Sequence, residues 1–319
     1  MKDTQFAFAD AKVRALESTL LTPGDIEQMI SASTEEITEM LRAKGWDTAV
    51  PMPTMFQNES RRAFEEIKEL LSQPALLAPL TLPDDFHNLK AALRGMVTDT
   101  DPVPFYLPNT VLALESLQET LQNKQYEFLP PMLRRPAQQG YEILVQTGDA
   151  QAMDLYLDRT MLRTMQSTAH DSGSRLLEAY AQLFTALCDI KTAYRAAKVG
   201  KDYDFLERAL CGSEELDSAV LADAAQRGTN ELLSMLTQSR FAEAAEKLKI
   251  SMSAFEKWGD DALIELVQSA KLTSFGPDPL IAYYFARQTE IKTVRIVLIC
   301  KSSGASERMI RERIRELYV

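Results

Sequence analysis

The chain has 319 residues, of which 45% are apolar and 25% are charged, as in an ordinary globular protein. This length exceeds the usual size of a single hydrophobic core, so we expect two or three subdomains. The net charge is −11, and the isoelectric point is near 4.9. A surface of this sign opposes binding to nucleic acid and adsorption to anionic lipid through a basic patch.

No segment approaches the roughly 18 uncharged apolar residues that a membrane-spanning helix needs, so the sequence predicts no direct insertion into lipid. The N-terminus, M-K-D-T-Q-F-A-F-A-D-A-K, lacks the apolar core of a signal peptide and carries acids early. We therefore expect the chain to stay in the cytoplasm. Docking on a membrane protein remains open to it.

The predicted elements are helical, because alternating β-branched runs are nearly absent while Ala, Leu, Glu, Gln, Lys and Met abound. A capping box, Ser33 with Glu36, opens a helix that Gly45 ends. Clustered prolines predict loops at 51–53, 74–83, 102–108 and 130–136. No proline occurs from 137 to 276, so this stretch is predicted to be helix broken only at glycines, namely Gly148, Gly173, Gly200, Gly212 and Gly228.

The C-terminal region predicts one long helix from Pro279 to Lys301, because its apolar residues recur at three- and four-residue steps. Near its end this helix is apolar on most sides, which predicts that the end is buried. Gly304 then supplies a stop. Ser306 caps a predicted final helix, Glu307 to Leu317.

One pattern occurs three times. It reads D-F-H-N-L-K-A-A-L-R at 85–94, A-L-C-D-I-K-T-A-Y-R at 186–195 and E-I-K-T-V-R-I-V-L-I at 290–299. The offsets between copies are 101 and 104 residues, far above the roughly 20 to 50 residues of solenoid repeats. The pattern predicts three similar helical subdomains about a pseudo-threefold axis, within one functional unit, 1–319. Their predicted bounds are 54–150, 151–250, and 251–319 together with 1–53.

Two copies carry a basic pair four residues apart: Lys90 with Arg94, and Lys191 with Arg195. Like charges at this spacing share a helix face and repel by a few tenths of a kcal/mol, so an acidic partner is expected nearby. One interpretation is a solvated or internally paired face, with Asp158 as a possible partner. The other is a contact surface for another protein of a complex, and it makes these four residues the candidate partner-contact site.

Motifs for catalysis are missing. The sequence holds no G-x-G arrangement and no G-K-[ST], so we expect no direct nucleotide binding. His87 stands beside Asp84 and Asp85, but a metal site needs three or four converging ligands. A helix that begins at Pro83, with acids in its first turn, explains the cluster as well. We therefore predict no metal and no cofactor.

The ends of the chain resemble a known family. The segment F-G-P-D-P-L-I-A-Y-Y-F-A-R-Q-T-E-I-K-T-V-R-I-V-L-I-C-K at 275–301, followed by R-E-R-I-R-E-L-Y-V, resembles the end of the C subunit of V-type (A-type) rotary ATPases. The eukaryotic counterpart of that protein is the d subunit of V-ATPases. F-A-F-A-D-A-K-V-R-A-L-E-S-T-L-L-T at 6–22 and H-N-L-K-A-A-L-R-G resemble the same family, in order and over nearly the whole chain. Thr293 stands where the family pattern has asparagine.

The resemblance implies an all-helical funnel of three similar subdomains. It implies a non-catalytic component of the central stalk, a socket between the D and F subunits of the rotor shaft and the membrane proteolipid ring. A protein of this kind couples ATP-driven rotation to H⁺ or Na⁺ transport and sits peripherally on the cytoplasmic face of the membrane.

Two other interpretations of the sequence remain. One is a helical-repeat adaptor for soluble partners, which would not co-purify with membranes. The other is an α-helical enzyme, which would need a pocket of convergent carboxylates. The D-D-F-H-N segment is faintly similar to the aspartate-rich motif of terpenoid synthases, but it lacks that motif's final acid.

Overall fold

A computed structural model describes the backbone of residues 3–71, 73–273 and 276–319, and their side chains from position 8 onwards. This part of the chain is all-α, as the composition predicts, and contains no strand. Phe275 of the C-terminal motif lies outside the described residues. The helices are α1 (Asp3–Glu17), α2 (Pro23–Ser31), α3 (Thr34–Ala43), α4 (Met52–Leu70), α5 (Pro74–Thr98), α6 (Leu114–Gln122), α7 (Pro131–Thr147), α8 (Ala150–Asp171), α9 (Arg175–Val199), α10 (Tyr203–Ala209), α11 (Ser218–Gln226), α12 (Thr229–Thr237), α13 (Ala242–Ile250), α14 (Met252–Gln268), α15 (Asp278–Ser302) and α16 (Glu307–Arg311).

Contacts divide the chain into two compact units. Unit 1 comprises Met1–Pro74, Ser174–Tyr180 and Leu236–Val319, and unit 2 comprises Ala75–Gly173 and Ala181–Met235. The three subdomains with bounds at 54–150, 151–250, and 251–319 plus 1–53 stay a prediction, as do the pseudo-threefold axis and the funnel.

Unit 1 is built around α15, which packs against α1, α2, α3, α4, α14 and α16. The sequence predicted this helix at Pro279 to Lys301, and it runs from Asp278 to Ser302. Its end is buried on several sides, through Val294, Val297 and Leu298, which confirms the prediction from its apolar pattern. Apolar residues of α2, α3 and α4 complete this core.

A buried ionic cluster ties α15 to α4. Arg287 is 4% exposed and donates from Nη2 to Glu59 at 2.7 Å and from Nη1 to Glu290. Its guanidinium also lies 5.5 Å from the ring of Trp46. Burial raises the pKa of Glu59 and of Glu290, while Arg287 acts in the opposite direction on both. Arg287 thus compensates Glu290, and it shares the compensation of Glu59 with Arg62, which lies 2.5 Å from that carboxylate.

In unit 2, α5 and α8 pack closely against α7 at Gly140. A Cβ atom there would lie 3.1 Å from Leu93 Cδ1 and 3.4 Å from Leu157 Cδ1, so the glycine permits the close approach. The prediction that only glycines break the proline-free region is wrong in part, because breaks without glycine occur at 238–241 and at Ser251. The five named glycines do lie between helices. Each of the five takes a positive φ between 65° and 114°, namely Gly148, Gly173, Gly200, Gly212 and Gly228.

The prediction of a loop at 74–83 is wrong, because α5 begins at Pro74 and continues through Pro79 and Pro83. An interior proline removes one helix hydrogen bond. Here Pro79 is buried with Leu80 and Leu82, and the apolar burial outweighs that loss. The loop predicted at 130–136 is likewise wrong in part, since α7 begins at Pro131 and includes Pro136.

The predicted final helix, Glu307 to Leu317, is too long. Ser306 does cap it by accepting from the Met309 N–H, but α16 ends at Arg311. The following residues are held in a non-helical path, because the Glu316 N–H donates to Asp261 at 2.8 Å and Gln268 donates to the Leu317 carbonyl. These tertiary contacts override the local helical pattern.

The ionic cluster gives a prediction for stability. Replacing Arg287 by Met leaves Glu290 buried without its ion-pair partner and leaves Glu59 with Arg62 alone, which should lower the free energy of unfolding by about 3–5 kcal/mol. Urea denaturation followed by tryptophan fluorescence measures this change, since Trp46 lies beside the arginine. As a control, Arg42→Met removes an exposed pair with Glu39 and should change it by at most about 1 kcal/mol. A wild-type denaturation midpoint for Arg287→Met would show that the cluster is not stabilising.

Candidate partner-binding surface

The first copy of the repeat lies in the middle of α5, where four polar side chains hold the loop at 99–113. Asn88 forms two hydrogen bonds with the backbone of Leu107. Its amide nitrogen donates to the Leu107 carbonyl at 3.0 Å, and its amide oxygen accepts from the Leu107 N–H at 2.7 Å. The Nε2 atom of His87 lies 3.0 Å from the carbonyl oxygen of Phe105. The sequence pattern therefore marks a loop anchor.

Asp84 and Asp85 extend this anchor. Asp84 accepts from the Asn109 N–H at 3.0 Å, and Asp85 accepts from the Thr110 hydroxyl and from the Val111 N–H at 2.8 Å. The prediction of a helix that begins at Pro83 is wrong, so the two acids do not serve a helix N-terminus. Within the described ranges, no three His, Cys, Asp or Glu side chains are placed to hold a metal.

The second copy holds a loop in the same way. Asp189, near the middle of α9, is 1% exposed. Its carboxylate accepts from the Cys211 N–H at 3.0 Å and from the Gly212 N–H at 2.6 Å. These residues precede α11, just as Val111 precedes α6.

The third copy uses a different position of the pattern. Glu290, which aligns with Asp85, is buried and accepts from the Leu21 N–H at 2.7 Å, and Leu21 precedes α2. Thr293, which aligns with Asn88 and Asp189, is also buried, and its hydroxyl finds no hydrogen-bond partner in the described part of the chain. Each copy thus fastens the segment before a nine-residue helix to a 25-residue helix.

Burial shifts the ionisation of these acids. Burial raises the pKa of Asp84 from 3.8 to about 6. The hydrogen bond from the Asn109 N–H favours the charged form and lowers this pKa by a smaller amount. Burial raises the pKa of Asp189 to about 6 as well, against the N–H groups of Cys211 and Gly212 and the charge of Arg159. The pKa of Asp85 is also raised by burial. Backbone hydrogen bonds therefore compensate only part of the cost of burying these charges.

The first basic pair is internally paired. Lys90 lies 2.5 Å from Asp158, as the sequence suggested, and Arg94 pairs with Asp154. The two aspartates lie on α8. Burial raises the pKa of Asp154, and Arg94 opposes this shift. The Arg94 side chain is still 52% exposed, so its guanidinium faces solvent as well as α8. The pair therefore joins α5 to α8 and leaves one cation at the surface.

The second pair has the same exposure pattern, with Lys191 half-buried and Arg195 exposed on α9. The third copy departs from it. Arg295 is exposed and lies 4.8 Å from the ring of Phe56, and Ile299 is 53% exposed where the other copies have arginine. The four candidate contact residues thus occupy equivalent positions on two long helices, and their role in contacting a partner stays a prediction.

The sequence pattern identified the aligned residues but did not indicate that the acids accept hydrogen bonds from distant backbone N–H groups. Asp85, Asp189 and Glu290 are buried together with many apolar residues of the same helices, and an acid within a mainly apolar helix is the signal that indicates a buried anchor. Glu59 also went unrecognised, because its partner Arg287 is 228 residues away in the sequence.

The raised pKa values predict a pH-dependent stability. A carboxylate whose pKa is higher in the folded state stabilises the fold most at low pH, and this contribution is lost as the pH rises through about 6. Between pH 5.5 and 8 each of Asp84 and Asp189 should therefore lower the free energy of unfolding by about 1 kcal/mol. Asp84→Asn and Asp189→Asn should each remove that part of the pH dependence in urea titrations.

Asp223→Asn is the matched control, since Asp223 is exposed and pairs with Arg227 at the surface. Its curve should run parallel to that of the wild type. Unchanged slopes for both buried variants would contradict the account of the anchors.

None of the helices in the described residues is long and apolar enough to cross a bilayer. A family model of the ATP synthase (C/AC39) subunit matches residues 9–313. The C subunit of the V-type sodium ATPase of Enterococcus hirae is 22% identical over 96% of this chain and 97% of its own length. The C subunit of the A-type ATP synthase of Haloquadratum walsbyi is 21% identical over 96% of each chain, and that of Halorubrum lacusprofundi is 24% identical over 70% of this chain and 68% of its own. The chain belongs to the family of ATP synthase (C/AC39) subunits, as the motifs at its two ends and H-N-L-K-A-A-L-R-G indicated.

Proposed function

We propose that this chain is a non-catalytic central-stalk subunit of a rotary V/A-type ATPase. It is the socket between the D and F subunits of the shaft and the membrane proteolipid ring, and it transmits torque that couples ATP turnover to H⁺ or Na⁺ transport. It sits peripherally on the cytoplasmic face of the membrane. The observation that carries this proposal is the family match over residues 9–313.

The local structure suits a torque adaptor. Such a part must resist twisting, and close-packed helices transmit strain because protein interiors are as dense as organic crystals. Three 25-residue helices, α5, α9 and α15, each hold a neighbouring segment through a buried acid. Buried hydrogen bonds of this kind fix one position of the segment relative to the helix, since breaking them would leave a buried polar group without a partner.

The four candidate residues supply the charged part of the contact in this proposal. Arg94 and Arg195 are exposed near the ends of their helices, while Lys90 and Lys191 lie one turn earlier and are half-buried. An arginine that is already paired on one side still has donors for a second carboxylate. Acidic residues of the proteolipid ring are therefore the expected partners.

Assembly tests the proposal. The purified chain is mixed with the D–F shaft complex and, separately, with the detergent-solubilised proteolipid ring, and both mixtures are run through size-exclusion chromatography. Co-elution with both supports the socket. An adaptor for soluble partners would co-elute with neither, which would contradict the proposal.

Charge exchange tests the candidate residues. Lys90→Glu with Arg94→Glu should weaken assembly about tenfold or more, as loss of a charged contact does. It should also lower the thermal midpoint, because Asp158 and Asp154 lose their partners. Adding Asp158→Lys and Asp154→Arg restores the internal pairs, so the thermal midpoint should recover while assembly stays weak.

Recovery of assembly together with stability would show that the pair serves only the fold. Lys191→Glu with Arg195→Glu should weaken assembly in the same manner. The matched control exchanges an exposed pair of α4, Lys68→Glu with Glu65→Lys, and should leave both measurements unchanged.

A further inference from the structure

The loop at 99–113 carries an apolar tip, Val103–Phe105, which forms a single 3-10 turn. Val103 is 60% exposed, Phe105 is 58% exposed, and Pro104 between them is exposed too. The residues on both sides, Pro102 and Tyr106, are buried. Contiguous exposed apolar surface marks interaction sites more often than single exposed apolar side chains do.

Residues of α5 hold the loop in place on either side of the tip, and this position leaves the tip exposed. At Gly95 an added Cβ atom would lie 2.7 Å from the Thr100 carbonyl oxygen, so only glycine allows this approach. The Val103 N–H donates to Asp101 Oδ1 at 3.0 Å, and His87 holds the Phe105 carbonyl. A surface that is rigid before binding loses little entropy on binding.

A pocket of about 390 Å³ opens beside the tip. Its apolar lining includes Ala91, Gly95, Pro102 and Phe105, and this volume accepts one large side chain. Aromatic residues at the edge of a pocket are frequent energetic centres of protein interfaces. The tip and the pocket together therefore form one docking surface.

The charge around the tip is negative. Lys90 and Arg94, which also line the pocket, are compensated by Asp158 and Asp154. Asp99 and Asp101 are exposed at the base of the tip, and neither forms an ion pair with any residue that the structure describes. The whole chain adds a net charge of −11. A partner with basic residues around an apolar centre complements this surface.

We propose that the apolar tip and its pocket dock an amphipathic helix of a partner protein. One apolar side chain of that helix enters the pocket, and its flanking lysines or arginines face Asp99 and Asp101. The inference rests on the proposed function in one respect, which is that the partner belongs to the D–F shaft complex. Anionic lipid does not fit the site, because the two acids repel it.

The experiment measures the dissociation constant of the purified chain for the purified D–F shaft complex. Val103→Ser with Phe105→Ser should weaken binding about tenfold or more, as removal of an interface centre does. Asp99→Asn with Asp101→Asn should weaken it severalfold and reduce its dependence on salt. The asparagine at 101 keeps an oxygen acceptor for the Val103 N–H, so the loop should remain folded. This second variant decides the question if the first fails to fold.

Phe128→Ser is the matched control. Phe128 also lies in a three-residue 3-10 turn of unit 2 and is 72% exposed, and its replacement should change the dissociation constant less than about twofold.

Two sets of outcomes separate this inference from the proposed function. Wild-type affinity in both tip variants overturns the inference and leaves the socket proposal standing, whereas a wild-type chain that binds neither shaft nor ring contradicts the socket proposal. Sedimentation of the chain alone, and binding to anionic phospholipid vesicles, test other occupants. Self-association or vesicle binding that is lost in the tip variants overturns the proposed occupant.

Discussion

The structure depends on one recurring interaction, in which a buried polar side chain midway along a 25-residue helix accepts backbone N–H groups from a distant segment. Asp85 and Asn88 do this for residues 107–111, Asp189 for residues 211–212, and Glu290 for Leu21. Burying a carboxylate is costly, and the raised pKa values of Asp85, Asp189 and Glu290 reflect that cost. The hydrogen bonds offset it only when the segment is in place, so each anchor selects one position for the chain that follows.

The third anchor has a further consequence for unit 1. Leu21 lies 269 residues before Glu290, so the N-terminal segment is fastened to the last long helix. Arg287 compensates Glu290 and links it to Glu59 on α4. The Glu290 carboxylate therefore has two partners. One oxygen accepts from the Leu21 N–H, and the other pairs with the Arg287 guanidinium. The two ends of the chain thus contribute to a single core.

Local signals were sufficient for much of the fold. Glycines with positive φ follow the ends of α7, α8, α9 and α11, as the sequence predicted, and apolar spacing placed α15 within one residue at each end. The failures arose from tertiary contacts. Pro79 and Pro83 remain helical because their neighbours are buried, and the tail after Arg311 leaves the helix because Asp261 and Gln268 hold its backbone.

The candidate site was predictable in part. The repeat identified Lys90 and Arg94, and the sequence named Asp158 as a partner, but the register of α5 against α8 was needed to find Asp154. The apolar tip could not be inferred from V-P-F, because exposure depends on where the anchors hold the loop. The repeat therefore indicated where the structure is fixed, and the geometry indicates which side chains remain available to a partner.

The most direct test of the anchors is amide hydrogen exchange at Leu21, Val111 and Gly212, one N–H group for each of the acids Glu290, Asp85 and Asp189. In the wild type these amides should exchange slowly, because each is bonded to a buried carboxylate. Asp85→Ala should accelerate exchange at Val111 alone, Asp189→Ala at Gly212 alone, and Glu290→Ala at Leu21 alone. Exchange in the wild type at the rate of an unfolded chain would contradict the account, as would an equal rate in each variant and the wild type.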